Sequence, residues 1–457
     1  MPHVDTGDTA WMLVSTALVM FMTPGLALFY GGLVRTKNVL GTIMQSFFAL
    51  GLVSIVWMVA GYSLGFGTDH GGLIGGLNYL FLKGVGAEPS AYAPTIPHTT
   101  YMAFQMMFAV ITPALITGAI AERMKFRGYV LFLILWSLFV YSPVAHWVWG
   151  GGWLGVGKGH VGALDFAGGT VVHINAGVAA LAAILYMGKR KGFGSEQFRP
   201  HNIPMVVTGA AILWFGWFGF NAGSALASGS LASSAFIATH LATAAAMLGW
   251  LIPEKHHNGS ATTVGAATGA VAGLVAITPA SGYVEPWAAV VIGLVAGLVC
   301  YGAVSLKPKL GYDDSLDVVG VHMVGGIIGA LLTGLFATTL INPAGANGAF
   351  YGNVAQFGKQ VLAVAVTLGY SFVLSLVILF VVDKLVGLRV TEDEELTGLD
   401  LSQHAEVGYS FAETGMVVAG AASSHGSHGD SHGGLAGPPG GSHEGAHEPG
   451  TKAPRPL

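Results

Sequence analysis

Eleven stretches of about twenty mostly apolar residues recur along this 457-residue chain, at 10–33, 42–66, 101–120, 128–149, 169–188, 203–222, 232–252, 261–280, 286–305, 318–340 and 357–386. A run of that length is what an α-helix needs to cross about 30 Å of hydrocarbon at ~1.5 Å per residue. In hydrocarbon each backbone N–H and C=O must be satisfied within its own segment, so such runs fold as helices. The expected fold class is therefore all-α, an integral membrane protein of eleven transmembrane helices. Only 9% of the residues are charged, against roughly 25% in soluble domains, so little of the chain suits water.

An odd number of spans puts the termini on opposite sides. Lys and Arg gather in alternate connections: Arg35, Lys37, Arg123, Lys125, Arg127, Lys189, Arg190, Lys191, Arg199, Lys255, Lys307 and Lys309 on one side, and Lys83, Lys158 and Lys359 on the other. Basic loops stay inside, so the N-terminus is expected outside and the C-terminus inside. The first ten residues carry Asp5 and Asp8 and lack the basic start of a signal peptide, so the first span is expected to remain. The net charge of −4 sits in short loops and offers nothing to nucleic acid. Cys300 is the only cysteine and lies in an apolar run, which leaves neither a disulfide nor a thiolate site. Three regions are expected: a transmembrane domain over 1–390, an acidic cytoplasmic tail over 391–420, to which the resemblance described below assigns a regulatory role, and a disordered His/Gly-rich extension over 421–457.

Titratable groups inside a span are costly in lipid and are functional candidates. His173 sits in the fifth span and His322 in the tenth, each in a glycine-rich apolar run. One buried histidine is often a satisfied core residue; two in corresponding spans suggest an inverted repeat of spans 1–5 and 6–10, with the site near the midplane between the copies. Paired neutral imidazoles keep one donor and one acceptor nitrogen each. They suit a small neutral molecule such as ammonia, or a relayed proton, better than a hydrated metal ion. Asp165 opens the fifth span, eight residues before His173, and either caps the helix start or meets a cation directly. No HExxH, paired-cysteine or carboxylate-dyad pattern lies in the spans, so no metal site, no cofactor and no enzymatic activity are expected.

The segment Asp165-Phe166-Ala167-Gly168-Gly169-Thr170-Val171-Val172-His173-Ile174-Asn175-Ala176-Gly177 resembles the Amt/Rh family of ammonium transporters, in its bacterial-type Amt branch. Phe29-Tyr30-Gly31-Gly32-Leu33-Val34-Arg35, Trp217-Phe218-Gly219-Phe220-Asn221-Ala222-Gly223-Ser224, and Asp313-Asp314 followed by Asp317 and His322 add to the resemblance, which runs from about Thr9 to Phe411. It implies a homotrimer in the cell membrane, with one pore per subunit. It also implies recruitment of NH4+ by Trp153, Ser224 and Phe108 at an outer vestibule, a gate of two stacked rings at Phe108 and Phe220, loss of a proton, and passage of NH3 past His173 and His322. Phe104, one turn before Phe108, competes for the gate position; Trp153 as an interfacial anchor and Ser224 as a loop residue are the plainer alternatives. The acidic tail resembles one that packs on the inner face and meets a PII-type signalling protein. The other function compatible with these residues is an ammonium sensor or transceptor with little net flux.

Overall fold

The computed structural model describes residues 3–410, so the His/Gly-rich stretch 421–457 and the tail beyond 410 lie outside the described residues. Among the described residues, ten helices are long and apolar enough to cross a membrane: α1 Thr6–Leu33, α2 Thr36–Phe66, α3 His98–Ile120, α4 Phe126–Val148, α5 Gly169–Met187, α6 Ile203–Gly223, α7 Ser230–Asn258, α9 Pro286–Leu310, α10 Val319–Phe336 and α11 Val354–Val386. Between α7 and α9 lies α8, Thr263–Ile277, an apolar helix of 15 residues. At ~1.5 Å per residue it spans about 22 Å, shorter than the run 261–280 read from hydropathy. The Thr262 hydroxyl starts it by accepting the Gly265 N–H at 2.8 Å, and at its far end Trp217 Nε1 donates to the Thr278 hydroxyl at 2.9 Å. From Ala267 to Ile277 nearly every residue of α8 is buried, so protein rather than lipid surrounds it.

α1 packs along α6, α7 along α8 and α9, and α11 along α5 and α10. The outer surface carries Leu13, Phe21, Phe47, Ile55, Phe139, Phe215, Leu248, Ile252, Val373 and Phe380 exposed. In water that surface would be untenable, whereas against acyl chains it is the expected outside of a membrane bundle. The chain between α2 and α3 folds into two small antiparallel hairpins, β1 (Asp69–His70) with β2 (Ile74–Gly75) and β3 (Pro89–Ser90) with β4 (Ala93–Pro97).

On the face opposite the N-terminus, buried ions tie the short connections together. Asp313 accepts from Arg123 Nη1 at 2.7 Å and from Arg190 Nη2 at 2.8 Å, and Glu122 accepts from Arg35 Nη2 at 2.8 Å and Arg190 Nη1 at 3.1 Å. Burial pushes the Asp313 and Glu122 carboxyls up, but the guanidiniums outweigh it and hold both below their usual values. The first residues of the acidic tail dock on this face as α12 (Glu392–Thr397) and α13 (Leu399–His404). Thr391 and Glu394 form a capping box at the start of α12. Buried Glu395 accepts from Arg389 Nη2 at 2.9 Å and from the Lys191 N–H at 2.7 Å, while Asp400 accepts the Gly41 N–H at 2.8 Å.

Candidate functional site

His173 and His322 lie in the first turns of α5 and α10, both wound as π-helix, over Gly169–Ile174 and Val319–Met323. Single π turns inside α-helices occur often where side chains are aimed at a site. The two Nδ1 atoms stand 3.3 Å apart, and the side chains are 1% and 3% exposed. An Nδ1-to-Nδ1 contact needs one donor and one acceptor, so one ring carries its proton on Nδ1 and the other on Nε2. His173 Nε2 has no hydrogen-bond partner among the described residues.

Glycines let the two helices approach this closely, and they do so reciprocally. Gly177, four residues after His173, lies against the backbone of Met323, one residue after His322; a Cβ there would collide with it. Gly326, four residues after His322, lies against Ile174, one residue after His173, where a Cβ would stand 3.0 Å from the Ile174 side chain. Each helix thus offers the other the same small position at the same offset from its histidine.

Asp165 closes the start of α5. Its carboxylate accepts the N–H groups of Gly168 at 2.8 Å, Gly169 at 2.6 Å, Thr170 at 2.8 Å and Val171 at 3.2 Å, together with the Thr170 hydroxyl. Gly168 sits at φ 116°, which a side chain would strain. Asp314 stands at the same offset from His322, eight residues before it, and its Oδ2 accepts the Val319 N–H at 2.7 Å. Burial first of all pushes the Asp314 carboxyl up, to about 6. In the sequence Asp314 stands out only as part of the Asp313-Asp314 motif; its offset from His322, matching that of Asp165 from His173, is the signal that singles it out.

Three cavities line up through the bundle. The first, about 240 Å³ on the N-terminal face, is lined by Phe108, Trp149, Asp165 and Ser224 among others. Its floor is the Phe108–Phe220 pair, with ring centroids 4.1 Å apart and planes at 27°. Below the pair is a cavity of only about 10 Å³ bounded by Phe220, Trp217, Phe29, His173, His322 and further apolar side chains, the size that admits one small molecule. A third, about 40 Å³, continues from His322 past Val271 to Asp317. Among the described residues, the two histidines are the only titratable side chains bounding the middle cavity.

Of the residues expected at the outer vestibule, Phe108 and Ser224 line the first cavity and Trp153 does not. Trp149 takes that wall, its ring 5.8 Å from Phe108 and edge-on to it, its Nε1 donating to the Asp165 carbonyl at 2.9 Å. Trp153 lies beyond the turn Gly150-Gly151-Gly152 and packs on Trp147 at 6.0 Å. That turn follows directly on the end of α4, which returns the chain away from the cavity after Trp149 and carries Trp153 to a different neighbour. Phe104 touches Phe108 edge-on at 4.9 Å and lines the first cavity; the ring stacked on Phe220 is that of Phe108. The Ser224 hydroxyl donates to the Phe220 carbonyl at 2.8 Å, leaving its oxygen free to accept.

Fold and path together define a multi-pass helical membrane protein built around a narrow, mostly apolar passage. The chain belongs to the Ammonium Transporter Family, which it matches over residues 10–409. It is 52% identical over 407 residues to an ammonium transporter of Bacillus subtilis, covering 89% of this chain and 99% of that one. It is 47% identical to Ammonium transporter Amt1 of Archaeoglobus fulgidus, with 89% and 100% covered. In three dimensions it is similar to Mep2 of Candida albicans, with TM-score 0.80, 36% identity, and 86% and 88% of the two chains covered. A structure titled Sensor Amt Protein gives TM-score 0.78 at 31% identity, with 87% and 98% covered.

Proposed function

We propose that this chain is an ammonium transporter that recruits NH4+ at the first cavity, strips a proton from it, and conducts NH3 past His173 and His322, with the proton relayed through the pair. The observation that carries this reading is the 3.3 Å contact between two buried imidazoles in an otherwise apolar path beneath stacked rings. A cation resting on the faces of Phe108 and Trp149 gains about 1 to 2 kcal/mol when partly desolvated, and the Ser224 oxygen accepts one N–H. The middle cavity offers no fixed negative charge. K+ entering it would shed water without replacement, whereas ammonium leaves its charge behind as a proton.

In this reading the eleven apolar helices all span the membrane, with the N-terminus outside and the docked tail inside; the basic residues of the connections support that orientation. The reciprocal Gly177–Met323 and Gly326–Ile174 contacts support an inverted repeat. Homotrimers are proposed as well. His240 lies exposed partway along α7 beside Trp214, at 5.4 Å, a placement suited to a protein neighbour rather than to lipid. The docked tail is proposed to report to a PII-type protein on the inner face.

The decisive substitution is His173→Asp. A carboxylate in the middle cavity supplies the missing charge and draws in water, so the variant should pass K+ as well as ammonium in proteoliposome flux. A variant that stays ammonium-selective at the wild-type rate refutes the paired-histidine mechanism. The sensor reading predicts binding without flux in the same vesicles for the unaltered protein.

A further inference from the structure

Gln105 lies three residues before Phe108 on α3, on the same side of the helix, and lines the first cavity with Phe108, Trp149 and Ser224. Its side chain is 7% exposed. Its amide Nε2 makes one long hydrogen bond to the Tyr101 hydroxyl at 3.4 Å, and its carbonyl oxygen Oε1 is buried without a partner. Three other polar side chains of that wall already have partners. The Ser224 hydroxyl hydrogen goes to Phe220, Trp149 Nε1 goes to the Asp165 carbonyl, and the Asp165 oxygens go to the first turn of α5. Among the described residues lining this cavity, Gln105 Oε1 is the buried side-chain acceptor left without a donor. An unpaired amide oxygen in a closed wall is costly to keep, and a ligand that brings its own N–H removes that cost.

We infer that Gln105 is a specificity-determining residue of the vestibule, its amide oxygen accepting an N–H from the bound cation alongside Ser224. The inference rests on the reading of the first cavity as the recruitment site. Ammonium presents an N–H in all four tetrahedral directions, so it reaches two acceptors and two aromatic faces in any orientation. Methylammonium has three N–H groups and a methyl, and must hold the methyl off both acceptors. Two acceptors therefore favour ammonium over its methylated analogue, and one acceptor favours it less.

The test is uptake of ammonium and of methylammonium into proteoliposomes carrying wild type, Gln105→Leu, Gln105→Glu or Trp149→Leu. Gln105→Leu should raise the half-saturating ammonium concentration about tenfold, the low end of what one hydrogen bond to a charged group contributes. It should raise that for methylammonium less and leave the maximal rates closer to wild type. Gln105→Glu keeps an acceptor at the same reach and should bind ammonium at least as well as wild type. An unchanged half-saturating concentration in Gln105→Leu, an equal rise for both substrates, or a loss in Gln105→Glu matching that in Gln105→Leu overturns the inference. If the Leu variant does not fold, Gln105→Met, equally long and without an amide, takes its place with the same expectations. A shift in Trp149→Leu without one in Gln105→Leu sinks this inference alone, and no shift in either sinks the vestibule reading beneath it.

Discussion

Both oxygens of Asp165 are turned onto its own helix, with four backbone N–H groups and one hydroxyl around a single carboxylate. That geometry favours the capping alternative over direct contact with a passing cation. Losing a helix cap costs about 0.5–2 kcal/mol, and here it would also release the turn that aims His173. Asp165→Ala should therefore nearly abolish transport and lower the melting temperature, while Asp165→Glu should keep part of both. A folded, fully active Ala variant would contradict this account. The residue scale also marks the limit of what the sequence makes legible. His173 and His322 stand out as ionisable groups in apolar spans and Asp165 as a carboxylate at the entrance of one, so their numbers can be read directly, whereas Phe220 is one of 24 phenylalanines and takes its place from the resemblance. Trp147, Trp149 and Trp153 crowd the end of α4 and a glycine turn, where no periodicity says which ring faces the cavity. Trp149→Leu should raise the half-saturating ammonium concentration more than it lowers the maximal rate, and Trp153→Leu should shift it far less.

α5 and α10 act as a pair because small residues recur at matching offsets. Hydropathy located both helices to within a few residues, but the π turns in which the histidines sit leave no hydropathy signature, since the residue types are those of an ordinary span. The shortness of α8 was hidden for a similar reason: its flanks Thr278 to Gly282 are small or apolar and continue the hydropathy of the helix. The closeness of α5 and α10 is testable with alanine. Gly177→Ala places a methyl against the Met323 backbone and should lower both the melting temperature and the flux. Gly302→Ala on α9 meets nothing within 4 Å, so it gains helix propensity of about 1 kcal/mol and should be neutral or stabilising. Equal effects from the two would mean that the crossing tolerates more space than the contacts indicate.

Across the whole molecule, the start of α2 (Lys37, Gly41), the third connection (Arg123) and the fifth (Lys191, Arg190) converge with Arg389 on Glu122, Asp313, Glu395 and Asp400. Of these carboxyls, Glu122 and Asp313 are held below their usual values by the guanidiniums beside them, so they add stability that is complete above the ordinary carboxylate range and is lost as pH falls through the lowered values. Detergent-solubilised protein should accordingly keep its melting temperature down to the ordinary carboxylate range and lose it more steeply below, and Asp313→Asn should lessen that acid loss. The convergence also predicts how truncations divide. Removing 421–457 should leave transport intact, whereas removing everything from Thr391 onward uncovers Lys37 and Arg389 and should weaken binding of a PII-type protein. Equal effects would assign a role to the His-rich stretch.

The single hydrogen between the two Nδ1 atoms makes the histidines a device with memory. A proton added to the far nitrogen of one ring and withdrawn from the far nitrogen of the other leaves the bridging hydrogen on the opposite partner. A second proton arriving from the same side then finds the pair set the wrong way. It must wait until the rings turn or the protons return, and the His173 ring has Trp217 stacked at 5.3 Å to hinder turning. In the proposed relay such a pair would pass one proton per resetting, so protons and ammonia molecules would not have to cross in a one-to-one count.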